Sequence, residues 1–199
     1  MALRSFDLTS VANVKTYLGI SVSTYNSLFE LLIGQATDTI ERYLGGRRIV
    51  QTAYTNEEYD GTGSKHLLLL NFPVSSTATF TLQRNRASDN TDDWETIDAE
   101  DYWVDYDAGI VHSGTMGDFL AGHFNYRVSY TAGYQKTATN WTMDLEGVCI
   151  LLVGMVFNRR KAMGISSESI GDFSVDFTME LERDPAVKAT LDKYKRWRV

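Results

Sequence analysis

The sequence predicts an α+β chain in which a helical bundle, formed from the N- and C-terminal segments, carries an inserted small antiparallel β-sandwich or barrel lobe. Three observations lead there. Apolar residues recur every three or four positions from Phe29 to Leu44 and again after Asn140, which is the helical period. Between Ile49 and Tyr134 the pattern changes to short, Thr- and Tyr-rich alternating runs, the period of strands. Gly45-Gly46 and Asp184-Pro185 punctuate the helical parts, as a helix stop and a helix restart should. The expected boundaries are 1–46 with 140–199 for the helical domain and 47–139 for the β insert.

Taken in order, Thr9 or Ser10 can cap a short helix bearing Val11, Val14, Tyr17 and Leu18, which Gly19 stops. Ser21 or Ser23 can cap a longer one. Its stripe is Phe29, Leu32, Ile33, Ala36, Ile40, Tyr43 and Leu44, with Glu30, Gln35, Asp38 and Glu41 off it. Arg47-Arg48 follow at the negative end of its dipole. Then come an extended run Ile49–Glu58 and a turn at Asp60-Gly61 and Gly63. His66–Leu70 follows as an apolar run, either buried on both faces or a tight edge. Thr77–Gln83, Trp94–Ile97, Tyr102–Tyr106, Ile110–His112 and Phe124–Tyr130 complete the strands, with a polar loop at Arg86–Asp93 and a hairpin turn at Asp107-Ala108-Gly109. Six or seven strands at this spacing suit a small sandwich or barrel.

Thr142 can cap a helix from about Met143 to Met163, whose first half is the most apolar run of the chain, Val148–Phe157. Its end is basic, with Arg159, Arg160 and Lys161. A loop, Gly164–Gly171, and a strictly alternating run, Phe173, Val175, Phe177, Met179 and Leu181, come next. That run predicts an amphipathic strand whose apolar face could pair with a neighbouring subunit, and Ile165 and Ile170 extend the candidate interface. Asp184 caps a last helix whose stripe is Val187, Leu191, Tyr194 and Trp197. Its other face holds Lys188, Lys193, Lys195, Arg196 and Arg198 against Asp192 alone. Lys188, Leu191, Tyr194, Lys195, Arg196, Trp197 and Arg198 are therefore the candidate docking residues for a more acidic partner surface.

Composition excludes several functions. A hydrophobic share of 43% with 23% charge allows a real core, whereas a net charge of -7 disfavours tight nucleic-acid binding, which is dominated by phosphate contacts. The lone Cys149 excludes an intrachain disulfide framework and fits synthesis in a reducing cytoplasm. The first residues lack the apolar core of a signal peptide. The Val148–Phe157 run is far shorter than the roughly 20 residues that span a bilayer, so no membrane is expected.

Candidate chemistry is thin. Gly61-Thr62-Gly63-Ser64-Lys65 departs from a phosphate loop, since Ser stands between Gly and Lys and a strand follows. Asp89, Thr91, Asp93 and Glu100 match calcium-loop offsets, but Trp94 takes the glycine position. His66, His112 and His123 are too scattered for metal-ligand spacing. No cofactor and no metal are expected. Asn140-Trp141-Thr142 is a glycosylation sequon without an export signal. Two further readings stay open. The aromatic and acidic β part, with Trp94, Tyr102, Trp103, Asp98, Glu100 and Asp101, could be a carbohydrate-binding or hydrolytic module. Arg159, Arg160 and Lys161 could touch DNA phosphates or simply complement a helix C-terminus.

Several stretches, in this order, resemble the head–tail connector (adaptor, or head completion) family of tailed bacteriophages. They are Leu8-Thr9 through Val14–Ile20, Ala36–Arg47, Tyr54–Gly61 with Leu67–Leu69, Pro73-Val74, Val128–Tyr134 and the Gly164–Gly171 loop. The chain departs from the family pattern in its doubled Gly45-Gly46, and in Trp141–Leu145, where a proline before the acidic residue is usual. The resemblance implies a structural subunit without catalytic activity. It implies a homo-oligomeric ring of twelve copies in the virion, docked under the portal protein and receiving the next connector, stopper or tail-completion protein. Double-stranded DNA would pass through without sequence-specific binding. Such a protein is made in the host cytoplasm and ends at the head–tail interface.

Overall fold

The computed structural model describes residues 2–86, 92–136, 142–162 and 184–196, without the side chains of 160–162. The expected Gly164–Gly171 loop and Phe173–Leu181 strand lie outside the described residues, and so do Trp197 and Arg198. The chain is α+β, in two compact units: Met1–Ile49 with Lys136–Val199, and Val50–Gln135. The divisions fall at 49/50 and 135/136 for local reasons. The Ile49 amide donates to Glu41 Oε1 at 3.3 Å, and Lys136 Nζ donates to the carbonyl oxygens of Ser5 and Asp7.

The first unit holds α1 (Val11–Leu18), α2 (Asn26–Tyr43), α3 (Met143–Ala162) and α4 (Pro185–Asp192). Ser10 caps α1 by accepting from the Asn13 amide, and Gly19 closes it at φ 65, where a Cβ would be strained. Neither Ser21 nor Ser23 caps α2, contrary to expectation. The helix starts later, behind Tyr25, with no side-chain cap. The Ser23 carbonyl accepts from the Asn26 amide instead, so a turn replaces the capping hydroxyl. Thr142 also fails as a side-chain cap: its hydroxyl is buried with no partner among the described residues. Its carbonyl accepts the Glu146 amide. The α2 stripe is buried as expected, and Phe29 meets Phe157 of α3 at 5.0 Å between ring centroids. Tyr25 packs edge-on to Phe157 at 5.2 Å. The N-terminal segment is tied to α2 by Arg4, which donates to Asp7, Asp38 and the Gly34 carbonyl. Among the described residues no helix is long and apolar enough to cross a membrane.

Among its described residues the second unit has seven strands: β1 (Thr52–Gly61), β2 (His66–Leu68), β3 (Thr81–Asn85), β4 (Trp94–Thr96), β5 (Tyr102–Asp105), β6 (Ile110–Ser113) and β7 (Gly122–Ala132). They form two antiparallel sheets, ordered β1-β7-β3-β4 and β2-β6-β5. This is not a closed barrel. One core serves both sheets, with Leu67 and Val111 from one and Leu82, Tyr126, Val128 and Tyr130 from the other. Strand boundaries differ from expectation at β1 and β3, and of the two readings of His66–Leu70 the edge one holds. β1 runs on through Asp60-Gly61, because Gly61 pairs with Gly122 and its amide donates to Asn125 Oδ1 at 2.7 Å. A Cβ on Gly61 would lie 1.8 Å from the Leu120 carbonyl oxygen, so only glycine fits. β3 begins at Thr81 rather than Thr77. His66–Leu70 is an edge segment, with Leu68 and Leu70 half exposed.

A bulge in β1 decides the polar interior of this unit. The register with β7 shifts between Tyr54 and Glu57, and Asn56 sits there at φ 52. An extra residue reverses the inward parity of a strand. Tyr54 faces in before it, stacked on Tyr130 at 5.3 Å. Glu57 and Tyr59 face in after it. The Tyr130 hydroxyl donates to Glu57 Oε2 at 2.5 Å, Tyr59 bonds the same oxygen, and the two hydroxyls lie 2.9 Å apart. The Leu70 and Asn71 amides donate to these hydroxyls. Burial, together with the carboxylate, raises the pKa of both phenols. Tyr130→Phe should lower the unfolding free energy by about 1–3 kcal/mol, the cost of leaving buried polar partners unmet. The exposed Tyr17→Phe should change it by less than about 0.5 kcal/mol. Urea titrations of the two variants compare them directly, and equal midpoints would contradict the network's role.

Candidate docking surfaces

The C-terminal helix is built from its cap inward. The Asp184 carboxylate accepts the Ala186 and Val187 amides at 2.9 and 3.4 Å, and Pro185 occupies the first helical position. Val187 and Leu191 are 3% and 0% exposed. The helix ends at Asp192, short of the expected Trp197, and Tyr194 and Lys195 lie in turns. Several contacts hold this end in place. The Tyr43 hydroxyl donates to Asp192 Oδ1 at 2.7 Å, and Tyr194 OH donates to Asp144 Oδ1 at 2.5 Å. The buried Arg47 guanidinium donates to the Tyr194 carbonyl at 2.7 Å. Lys195 Nζ lies 3.1 Å from Asp192 and 3.6 Å from the Tyr43 ring centre. The Tyr43 hydroxyl first, then Lys195, holds the Asp192 carboxyl below its usual range.

These contacts revise the expected docking set. Leu191 belongs to the core of its own unit, and Tyr194 and Lys195 are engaged within it. Lys188 is exposed, as is the neighbouring Lys193, and Arg196 is half-buried. Arg159 is half-buried near the end of α3, and the side chains of Arg160 and Lys161 lie outside the description. The expected interface residues Ile165, Ile170, Phe173, Val175, Phe177 and Met179 lie outside it too. The pattern missed Arg47, read only as a helix-end cation. A cation directly after a double glycine and before a strand was the available signal.

The second surface is the outer face of the three-stranded sheet. Leu67 and Val111 point into the core, so their neighbours point out. Register aligns His66, His112 and Trp103 across the three strands, and Leu68, Ile110 and Asp105 beside them. His66 meets His112 edge-on at 4.7 Å, and Trp103 stacks on His112 at 3.6 Å with the planes 3° apart. Trp103 and Leu68 are 56% and 50% exposed, large apolar side chains on a face that antiparallel sheets normally leave polar. The histidines that looked scattered are thus partly gathered, as cross-strand packing. Among the described residues no three metal-ligating side chains converge.

The other candidates fall apart on geometry. Trp94 lies in the four-stranded sheet under the Arg127 guanidinium, 4.3 Å from its ring centre. Tyr102 packs against the core beside Phe80. The aromatics of the carbohydrate reading therefore form no single platform. Asp98, Glu100 and Asp101 crowd one short 3-10 turn, not opposite walls of a cleft. Gly61–Lys65 joins two strands. Cys149 is fully buried, and burial pushes its thiol up to about 12, which removes the nucleophilic thiolate.

Two predictions follow from these placements. Leu191→Ala should destabilise the chain by about 2–5 kcal/mol, whereas Lys188→Ala should stay within about 0.5 kcal/mol. Thermal unfolding separates a core residue from a surface one. For His112, burial and then the adjacent His66 lower the pKa below 6.5, against the pull of Asp105. A folded pKa below the unfolded one means stability that is full above the unfolded value and is lost as pH falls through the folded value. Stability should therefore drop between pH 7 and pH 5 by more in the parent than in His112→Gln; parallel curves would contradict the pairing.

Comparisons with known proteins bear on the family and the fold. The family model described as head completion protein matches residues 7–197. No curated protein sequence matches. A chain from the "Neck of empty GTA particle computed with C6 symmetry" is similar over 100% of this chain and 96% of its own, with a TM-score of 0.57 and 15% identity. A chain from the "Neck of native GTA particle computed with C12 symmetry" has the same coverages and identity, with a TM-score of 0.52. At that identity these likenesses establish a shared fold.

Proposed function

The chain belongs to the head completion protein family, and from that membership we propose that it is a structural ring subunit of a tailed-phage neck, linking the DNA-filled head to the tail. The family match over residues 7–197 carries this reading. The neck particles that share the fold, computed with six- and twelve-fold symmetry, support a cyclic homo-oligomer of twelve copies. In this reading the ring docks under the portal protein and receives the next connector, stopper or tail-completion protein below. Double-stranded DNA passes through its channel. The chain is made in the host cytoplasm and resides in the virion. The helical domain from the two termini is the scaffold, and the inserted β domain projects a second contact surface.

Portal docking falls to the exposed Lys188 of α4 and to the basic tail beyond it, that is Arg196, Trp197 and Arg198. The alternating Phe173–Leu181 segment remains a candidate subunit interface, and Arg159, Arg160 and Lys161 a candidate contact for passing DNA. Removing Asp184–Val199 is a poor test, because Val187 and Leu191 are core residues. Lys188→Glu with Arg198→Glu is the better one, since Lys188 is exposed. Unaltered chain added to portal-bearing heads that lack it should be retained and should restore tail joining. The doubly reversed chain should keep its unfolding midpoint and be retained at least about tenfold less, since opposed charges at an interface cost several kcal/mol. Equal retention would end the docking assignment, and no retention of the unaltered chain would end the function.

A further inference from the structure

The two units differ in charge far more than the total of -7 suggests. Residues 50–135 hold thirteen Asp and Glu against four Lys and Arg, a net of −9, while the remainder holds thirteen against fifteen, a net of +2. Within the β unit four acids flank one exposed aromatic in the sequence. Glu100 and Asp101 precede β5, Asp105 ends it, Asp107 lies in the turn that follows, and Trp103 lies between them in sequence on the outer sheet face. An exposed Trp held rigid by stacking on His112, with an acidic rim, has the make-up of a binding hot spot. On the helical unit, the Tyr43–Asp192 hydrogen bond joins the C-terminal ends of α2 and α4, and the adjoining Arg42 and Lys193 are exposed. Cations at helix C-termini are favourably placed by the dipole.

A closed ring needs heterologous contacts, in which each copy offers two different surfaces. We propose that the outer face of the β2-β6-β5 sheet, centred on Trp103, is the surface on which the next copy seats the α2/α4 end bearing Arg42 and Lys193. This rests on the ring-subunit reading above. It assigns the occupant by charge: an acidic, aromatic face on one unit and exposed cations on the other, carried by the same chain. Asp101 and Asp105 already serve local bonds, to Thr115 and to the Ala108 amide, which leaves Glu100 and Asp107 as the rim charges to vary.

The test is a charge swap, read as copies retained per portal-bearing head. Glu100→Lys with Asp107→Lys, and separately Arg42→Glu with Lys193→Glu, should each cut retention at least about tenfold. The chain carrying all four changes should recover to within about threefold of the parent, because both faces are reversed together. Trp103→Ala should cut retention without shifting the unfolding midpoint by more than a surface change does. Normal retention of Trp103→Ala, or a fourfold variant no better than either pair, overturns this contact while leaving the neck function intact. Failure of the parent chain to be retained overturns both.

Discussion

Arg47 is where the helical unit closes. Its guanidinium is almost fully buried, and a buried charge is costly unless hydrogen bonds offset its lost hydration. One of its donors reaches the carbonyl of Tyr194, 147 positions further along the chain, and Tyr43 and Asp144 fasten the same segment from either side. Closing a long loop costs only about 0.6 kcal/mol per doubling of its length, so a whole β unit can stand between the two halves of a helical one. What must be exact in such a chain is the closing contact. Glu41, Arg47 and Arg48 are therefore occupied with structure: Glu41 and Arg48 form an ion pair at 2.6 Å, Arg48 lies over the Phe6 ring, and Glu41 takes the Ile49 amide. Burial raises the Glu41 pKa against the pull of Arg48, so this carboxylate is held at some cost for its geometry.

The β unit solves a similar problem with a bulge. Two sheets of four and three strands share one core, and the acidic residues must stay outside it. Glu57 is the exception. The Asn56 bulge turns it inward, where two phenols and an asparagine amide meet its oxygens. Those same phenols accept the Leu70 and Asn71 amides, which follow the edge strand of the opposite sheet. One carboxylate thus joins both sheets through hydrogen bonds that a purely apolar core could not supply.

The helices and most strands were legible because their apolar periods survive in the fold. The stripe from Phe29 to Leu44 is buried nearly as read, and Asp184-Pro185 starts a helix where it should. What escaped the sequence depends on parity and on distance. A bulge leaves no apolar signature, so Glu57 looked like one more polar residue of an extended run. The alignment of His66, His112 and Trp103 requires the pairing of β2 with β6 and of β6 with β5, which spacing along the chain does not encode. The cap of α2 was misplaced because a serine carbonyl, not a serine hydroxyl, shapes its start. Leu191 was counted with the docking face because a helix stripe announces that it is apolar, not which neighbour buries it.

Charge segregation between the two units bears on how such a chain meets its neighbours. At physiological salt a surface charge is felt over about 8 Å, so a net of −9 on one unit and +2 on the other can orient an approaching copy but contributes little once solvent has screened it. Holding the contact requires apolar area that water leaves, and on the outer face of the three-stranded sheet that area is Trp103 with Leu68. The face is small, and a small face with steering charges gives a weak contact between two free copies. It becomes effective when a template presents copies side by side, because linked contacts then act at high effective concentration. Under the proposed neck function, such a face would close a ring only where a template holds the copies together.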